Sequence, residues 1–595
     1  MMTVRAFVVS IFQTFRSCLL LGGIFLLSGC LPDIFQSKAE YRLLGLEKNK
    51  DLEVTMNKFL SERADAIDTQ GKEGDVRQRE AYQEKQLQED LQSKVMSEGY
   101  YDAVVSYSGD DRPWRGAYAV KSGVQYKIRK ISVTPARYKP FLQMELVGQP
   151  LEAVRVLSVQ EKLKSAIARD RCYFNLAVDN AVTLDAKTEK ADILFRVTAG
   201  PQAKMGLAIF EGHDKVKNSY LQKLVDWKER DCFTQKKIDA LRAALFESGL
   251  FSGVDIVIPK KPLKDGLVPV TLRVKERAFR SFSAGVSYYT DEGLGLTLGW
   301  RHRNLLGAAE SLETSLKLSQ RNQNIEARLT KPFFLRRDQS VSFNASISHE
   351  DTDAYLKTGF DFGAAVRRIF TKNLSGSTGG SLSLSEIKDK TLASTSTFYL
   401  LSFPQGLVYD TRDNALDAHK GFLLDGRVEP FVDAAGKSSP FGKMELTGQA
   451  YHALGAKMVA ALRMKIGSII GPGTLDIPAT KRFYAGGGGS VRGFGYQEIG
   501  PQKNGEPEGG RSLIETSGEL RYKVTDTVGI VTFLDAGSVG ASPTANFSHL
   551  SVGGGAGLRY YTDFGPLRFD VGVPLNHKET TSASYQFYIS IGQAF

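Results

Sequence analysis

Beyond Phe279 the chain gives up helical spacing for a period of two, and this switch limits the fold more than any other feature. Leu312, Thr314, Leu316 and Leu318 alternate with Ser311, Glu313, Ser315, Lys317 and Ser319. Val341, Phe343, Ala345 and Ile347 alternate with Ser340, Ser342, Asn344, Ser346 and Ser348, and Leu462, Met464 and Ile466 with Arg463 and Lys465. Neighbouring side chains of a strand point to opposite faces, so such dyads set one face in an apolar medium and the other against polar groups. A soluble β-sandwich also alternates. An exported chain that repeats the pattern, with no later apolar segment of helix-spanning length, favours a transmembrane barrel. In lipid every backbone polar group must be paired, and a closed sheet leaves no free edge. At roughly 20 residues per strand with its loop, residues 278–595 make about 16 antiparallel strands.

The last of these strands is the clearest. Tyr585, Phe587, Ile589, Ile591 and Phe595 share one face, interrupted only by Gln593, and Tyr588, Ser590, Gly592 and Ala594 take the other. An aromatic final residue on the lipid face is similar to the C-terminal signal of bacterial outer-membrane proteins. A strand placed there would close the barrel against a first strand near Phe279 to Tyr289. Gly285 and Gly592 would weaken that seam, or simply accommodate curvature. The 58 glycines and 34 phenylalanines are many for a soluble enzyme and gather after residue 278.

Export is written at the other end. Arg5 and Arg16 precede an apolar run from Leu19 to Leu27, suited to a signal peptide over residues 1–29 and too short to span a bilayer. The run ends in Leu27-Ser28-Gly29-Cys30, which resembles a bacterial lipobox, with Cys30 as the lipid-bearing first residue; ordinary cleavage with an incidental Cys30 is the alternative. Cys18 leaves with the signal, so Cys172 and Cys232 remain, either paired in the oxidising compartment or free.

A chain of 595 residues is too long for one core. Between residues 40 and 277 three similar units succeed one another, over 40–134, 135–200 and 201–277. Each reads as an amphipathic helix followed by strands. Gly99 and Gly249 mark helix stops, where the second unit carries Arg171 instead. The net charge of +11 suits anionic lipid or lipopolysaccharide, or plain solvation, and no nucleic-acid partner is expected.

One loop stands apart. Gly486-Gly487-Gly488-Gly489-Ser490-Val491-Arg492-Gly493-Phe494-Gly495-Tyr496 sets a single arginine and two aromatics in a bare, pliant backbone. Arginine keeps its charge and offers a planar fork of donors, so it belongs beside a carboxylate. Chemistry of bond-breaking is not visible. The chain lacks a G-x-S-x-G elbow, the glycine run lacks the Lys-Ser/Thr ending of a phosphate loop, and seven scattered histidines lack ligand spacing. The expectation is a physical machine without enzyme activity, cofactor or metal.

The string Val491-Arg492-Gly493-Phe494 resembles the inward-folded loop of BamA-like outer-membrane barrels. Further segments resemble the TamA family, the outer-membrane subunits of the translocation and assembly module. They are Gly299-Trp300-Arg301-His302-Arg303-Asn304-Leu305-Leu306-Gly307, Lys331-Pro332-Phe333-Phe334, Tyr409-Asp410-Thr411-Arg412-Asp413 with Lys420-Gly421-Phe422, Phe533-Leu534-Asp535-Ala536-Gly537, and Gly565-Pro566-Leu567-Arg568-Phe569-Asp570. The three N-terminal units resemble POTRA (polypeptide-transport-associated) domains, three being the number that fits TamA. The resemblance implies α+β POTRA repeats in the periplasm before an outer-membrane barrel. It implies that Arg492 reaches into the bore to pair with Asp535, or second Asp570. It implies assembly of unfolded outer-membrane clients such as autotransporters, with a TamB-like inner-membrane-anchored partner. The alternatives are a two-partner-secretion transporter, a passive channel or receptor, and, more remotely, an outer-membrane lipase.

Overall fold

The computed structural model describes residues 40–64, 73–109, 115–142, 145–290, 293–545, 547, 550–562, 565–576, 584–591 and 593. Cys30, Gly592 and Phe595 therefore lie outside the described residues. The chain divides into two compact units, one ending at Ala203 and the other beginning at Lys204. Among the described residues no helix is long and apolar enough to cross a membrane.

Three small domains precede the barrel, each a three-stranded sheet covered by two helical segments. The first uses strands Glu40–Leu44, Val104–Gly109 and Arg115–Lys121 with helices Lys50–Ala64 and Glu73–Ser97. The second uses strands Lys127–Thr134, Ala177–Asp185 and Lys190–Thr198, with a short turn of helix at Ala136–Phe141 and a long helix at Ala153–Arg171. The third uses strands Lys204–Glu211, Phe251–Val257 and Leu267–Glu276 with helices Asn218–Leu224 and Gln235–Glu247. In every sheet the last strand is central, parallel to the first and antiparallel to the second.

Each unit thus opens on a strand, where the periodicity pointed to a helix. The expected boundary at 134/135 moves accordingly. Lys127–Thr134 pairs in parallel with Lys190–Arg196 and belongs to the second domain, so the first ends at Lys121. The reason is long-range. A lone strand has no periodicity that tells which sheet it joins; only its ladder does.

Helix Ala153–Arg171 shows how the domains are built. Val156, Val159, Leu163 and Ile167 fall on one stripe and are buried against the sheet with Ile193 and Phe195. Gly99 and Gly249 take the left-handed backbone at their helix ends, and in the second unit Cys172 takes that conformation at φ 52°. Cys172 and Cys232 are each disulfide-bonded.

The remainder is a closed antiparallel barrel of 16 strands. In chain order they are β1 (Arg280–Tyr289), β2 (Gly293–His302), β3 (Ser311–Ser319), β4 (Asn322–Pro332), β5 (Gln339–Asp351), β6 (Tyr355–Ile369), β7 (Leu374–Asp389) and β8 (Ser394–Ser402 continued by Gln405–Asp410). They continue as β9 (Gly421–Asp433), β10 (Phe441–Ala453), β11 (Met458–Ile470), β12 (Ser512–Lys523), β13 (Val528–Gly540), β14 (Ser551–Thr562), β15 (Gly565–Pro574) and β16 (Gln586–Ile591). The break in β8 falls at Pro404, which has no N–H to give to a ladder. Phe282, Leu294, Leu298, Ile325, Phe343, Ile347 and Ile530 stand exposed on the outer wall, an apolar belt suited to hydrocarbon.

The third small domain and the barrel form one compact unit. The Glu276 carboxylate accepts the N–H groups of Asp214, Lys215 and Val216 at 3.1, 2.9 and 2.8 Å. The segment it shapes docks on the β2–β3 turn: Lys217 N–H donates to Gly307 O at 2.7 Å, and Asn304 Nδ2 donates to Lys215 O at 3.0 Å. Tyr220 stacks on Phe333 with ring centroids 5.5 Å apart. These contacts mark the end of the barrel at which the small domain attaches.

Candidate functional site

The connection between β11 and β12, residues 471–511, folds inward rather than out into solvent. Ile477, Ala479, Phe483, Ala485, Val491, Phe494 and Ile499 from this loop are buried in one cluster with wall residues Phe398, Leu400, Phe431, Phe441, Ile469 and Leu513. Apolar side chains of the loop and the wall thus pack together within the bore. That burial supplies the driving force that holds so long a loop inside.

Two arginines fix it. Arg492 is 2% exposed. Its Nε donates to Asp535 Oδ2 at 2.7 Å and Nη2 to Asp535 Oδ1 at 2.9 Å, a two-pronged pair, and its backbone N–H reaches the same carboxylate at 3.1 Å. Nη1 donates to Glu519 Oε1 at 2.7 Å and to Asp570 Oδ2 at 3.1 Å, and Nη2 to Ser517 Oγ at 3.2 Å. The guanidinium lies over the Phe533 ring at 3.5 Å. Burial disfavours a lone charge, and the Asp535 hydrogen bonds with the charges of Asp535, Glu519 and Asp570 offset that cost.

Asp535 lies on β13 and Asp570 on β15, so both carboxylates named from the sequence meet Arg492. Glu519 is a third partner that sequence reasoning missed. Its signal was present: Glu515, Ser517, Glu519 and Arg521 alternate on the inward face of β12, the strand that directly follows the loop. Around the three carboxylates stand Arg521, Arg559 and Arg568, the first paired with Glu519 and the other two with Asp570. Buried charge is tolerable here because each group faces an opposite charge.

The backbone beside Arg492 must come very close to the wall. A Cβ built on Gly493, at φ +98°, would stand 2.6 Å from the carbonyl carbon of Val573. No other residue fits that path. Gly493 N–H donates to the Tyr588 hydroxyl at 3.1 Å, while Val491 and Phe494 are buried in the apolar cluster.

The second anchor, Arg482, was not singled out from sequence. Its Nη2 pairs with Asp389 Oδ2 of β7 at 2.7 Å, and its Nε and Nη1 donate to the carbonyls of Ile477 and Glu508. Both partners are buried. The loop is therefore tied to β7 on one side and to β12, β13 and β15 on the other.

The seam between β1 and β16 is the remaining element. Ten facing pairs join β1 to β2, and six join β15 to β16. Among the described residues β1 and β16 share two pairs, Tyr288 with Ile589 and Tyr289 with Tyr588. Thr290 adds exchange with Phe587, its N–H and Oγ1 reaching Phe587 O at 3.1 and 3.0 Å. Gly285 lies nearer than these pairs to the end of the barrel that carries the small domain, and a Cβ there would meet nothing within 4 Å.

Comparison with known proteins agrees with this architecture. Residues 304–595 match the Omp85 superfamily domain, and residues 204–277 match POTRA, the surface antigen variable number repeat. Over 533 residues the chain is 24% identical to the outer membrane protein assembly factor BamA of Nitratidesulfovibrio vulgaris, covering 84% of this chain and 66% of that protein. Over 473 residues it is 22% identical to the protein of the same name from Neisseria meningitidis, covering 69% of this chain and 59% of that one. The chain thus spans just under two thirds of the curated relatives it matches. The crystal structure of BamA from Haemophilus ducreyi lacking POTRA domains 1-3 superposes with a TM-score of 0.65 at 19% identity, over 79% of this chain and all of that one. Residues 304–595 thus match the Omp85 superfamily domain and residues 204–277 match POTRA, the architecture of an outer-membrane β-barrel with POTRA domains in the periplasm.

Proposed function

We propose that this protein is an assembly factor of the TamA type, which guides unfolded outer-membrane proteins, autotransporters among them, into the bilayer. The observation that carries the reading is the short seam. A strand with unpaired N–H and C=O groups templates another strand by β-augmentation. Here β1 pairs with β2 along ten residues but, among the described residues, meets β16 at two. Client strands would add at this edge and leave sideways into lipid. The work is physical and needs no covalent chemistry.

The apolar cluster in the bore supports this reading over that of an open channel, because the loop occupies the path a solute would take. The name shared by the two relatives, outer membrane protein assembly factor, points the same way. Each small sheet keeps its first and second strands at its edges, and these would receive a TamB-like partner anchored in the inner membrane.

Depletion of the protein followed by proteomics of the outer membrane tests the proposal. Selective loss of β-barrel clients is the expected result. An unchanged outer-membrane proteome with one soluble protein missing from the medium would instead favour a two-partner-secretion role.

A further inference from the structure

The segment Lys331-Pro332-Phe333-Phe334 and the turn that follows it are only partly absorbed by the joint with the third small domain. Phe333 stacks on Tyr220 there, and Arg337 Nη1 pairs with Asp226 Oδ1 at 3.2 Å. The rest of this β4–β5 turn takes no part in the joint. Leu335 is 86% exposed, on a backbone held at φ 59°, a conformation that a bulky residue rarely adopts. Arg336 follows it, also exposed. On the nearby β6–β7 turn, Phe370 and Lys372 are exposed in the same way. Apolar tips flanked by cations suit the boundary between hydrocarbon and headgroups.

The strand pleat sets further cations on the lipid side of the wall. Lys331 shares the outward face of β4 with the exposed Ile325 and stands opposite Val341 of β5. Arg368 of β6 lies opposite Gln339 of β5, on the face that carries the exposed Phe343, Phe360 and Phe362. The belt that meets hydrocarbon therefore runs down into a cluster of cations. Asp338 orients two of them: its Oδ1 accepts from Arg336 Nε at 3.2 Å and its Oδ2 from Arg368 Nε at 2.7 Å. The Arg368 guanidinium also lies over the Phe370 ring at 5.4 Å. Among the described residues the Nη groups of Arg336 and Arg368 make no hydrogen bond. Two guanidinium forks held side by side match the oxygens of a phosphate.

Other turns at this end of the barrel gather no such charge. The β2–β3 turn carries Arg303 with Glu310, the β8–β9 turn sets Arg412 and Lys420 against Asp410, Asp413 and Asp417, and the β10–β11 turn carries Lys457 alone. The cations are concentrated under β4 to β7, away from the β1–β16 seam.

We propose that Arg336 and Arg368, with Lys331 and Lys372, bind the phosphate of an anionic phospholipid in the leaflet that faces the small domains. Leu335 and Phe370 would rest at the boundary of its acyl chains. A headgroup with net negative charge, phosphatidylglycerol being the type, offers its phosphate oxygens to the forks. A zwitterionic headgroup brings its own cation, which the cluster repels. The site goes beyond the assembly reading and does not depend on it.

The test titrates the full-length protein in neutral detergent with phosphatidylglycerol and, separately, with phosphatidylcholine, and reads bound lipid by native mass spectrometry. The parent should hold phosphatidylglycerol about tenfold more tightly, since each cation near an anionic headgroup contributes roughly fivefold. Arg336→Gln with Arg368→Gln should remove most of that preference. Lys331→Gln with Lys372→Gln, both exposed side chains, should weaken it severalfold. The lysine pair carries the test should the arginine variant fail to fold, as read by heat-modified gel mobility. Lys457→Gln on the β10–β11 turn should leave the preference unchanged. No preference in the parent, or a parent-like preference in every folded double variant, overturns the site. An equal loss in Lys457→Gln would mean diffuse charge and overturns it too. Release of the lipid by millimolar inorganic phosphate would reveal a site for free anions and reject the lipid, whereas retention in phosphate upholds the proposal.

Discussion

Arg492 is held by three carboxylates on three strands, and its removal leaves all three in a site from which water is excluded. One-sided loss of a buried pair of this kind costs about 3–5 kcal/mol. Arg492→Ala should therefore give a barrel that still inserts but whose loop, residues 486–496, is cut by protease much faster than in the parent. Arg492→Lys keeps the charge but not the fork, since one ammonium cannot meet both oxygens of Asp535 and reach Glu519 as well. It should fall between parent and Ala in the same proteolysis assay. Equal protection in all three proteins would remove the anchoring role. The arginine was legible in the sequence because a permanent charge in a glycine-rich loop needs a partner. Asp535 and Asp570 were legible only through the segments that resemble known barrels, and Glu519 through an alternation that had not been followed into β12.

At the scale of elements, the joint between the third POTRA domain and the barrel depends on Glu276, whose one carboxylate oxygen gathers three backbone N–H groups. Glu276→Gln keeps an acceptor but loses the charge, weakening the clamp by about 1 kcal/mol. Amide exchange at Asp214, Lys215, Val216 and Lys217 should quicken severalfold, with barrel-strand protection unchanged. Unchanged exchange at these four amides would reject the clamp. The β1–β16 seam is the second such element. Tyr288→Cys with Ile589→Cys, facing each other in the ladder, should form a disulfide that stops client assembly, reversed by reductant. Assembly that proceeds with the seam locked would take it out of the mechanism.

The barrel closes with an apolar outside and a bore occupied by its own loop. It should be extracted only by detergent, and water-soluble monomer from detergent-free lysate would contradict the barrel's orientation of faces. The sequence by itself determined that the C-terminal half is a barrel of about 16 strands, because alternation is a property of each strand's own pleat and needs no distant partner. It also determined that three similar small domains precede it and that the glycine-rich loop needs a carboxylate. Only the tertiary structure decided that Lys127–Thr134 joins the second domain, that Arg482 meets Asp389, and that Gln593 bonds Arg559 and Asp417. Each of these joins residues far apart in the chain. Such pairings follow from register, closure and the need to satisfy buried charge, which no local pattern encodes.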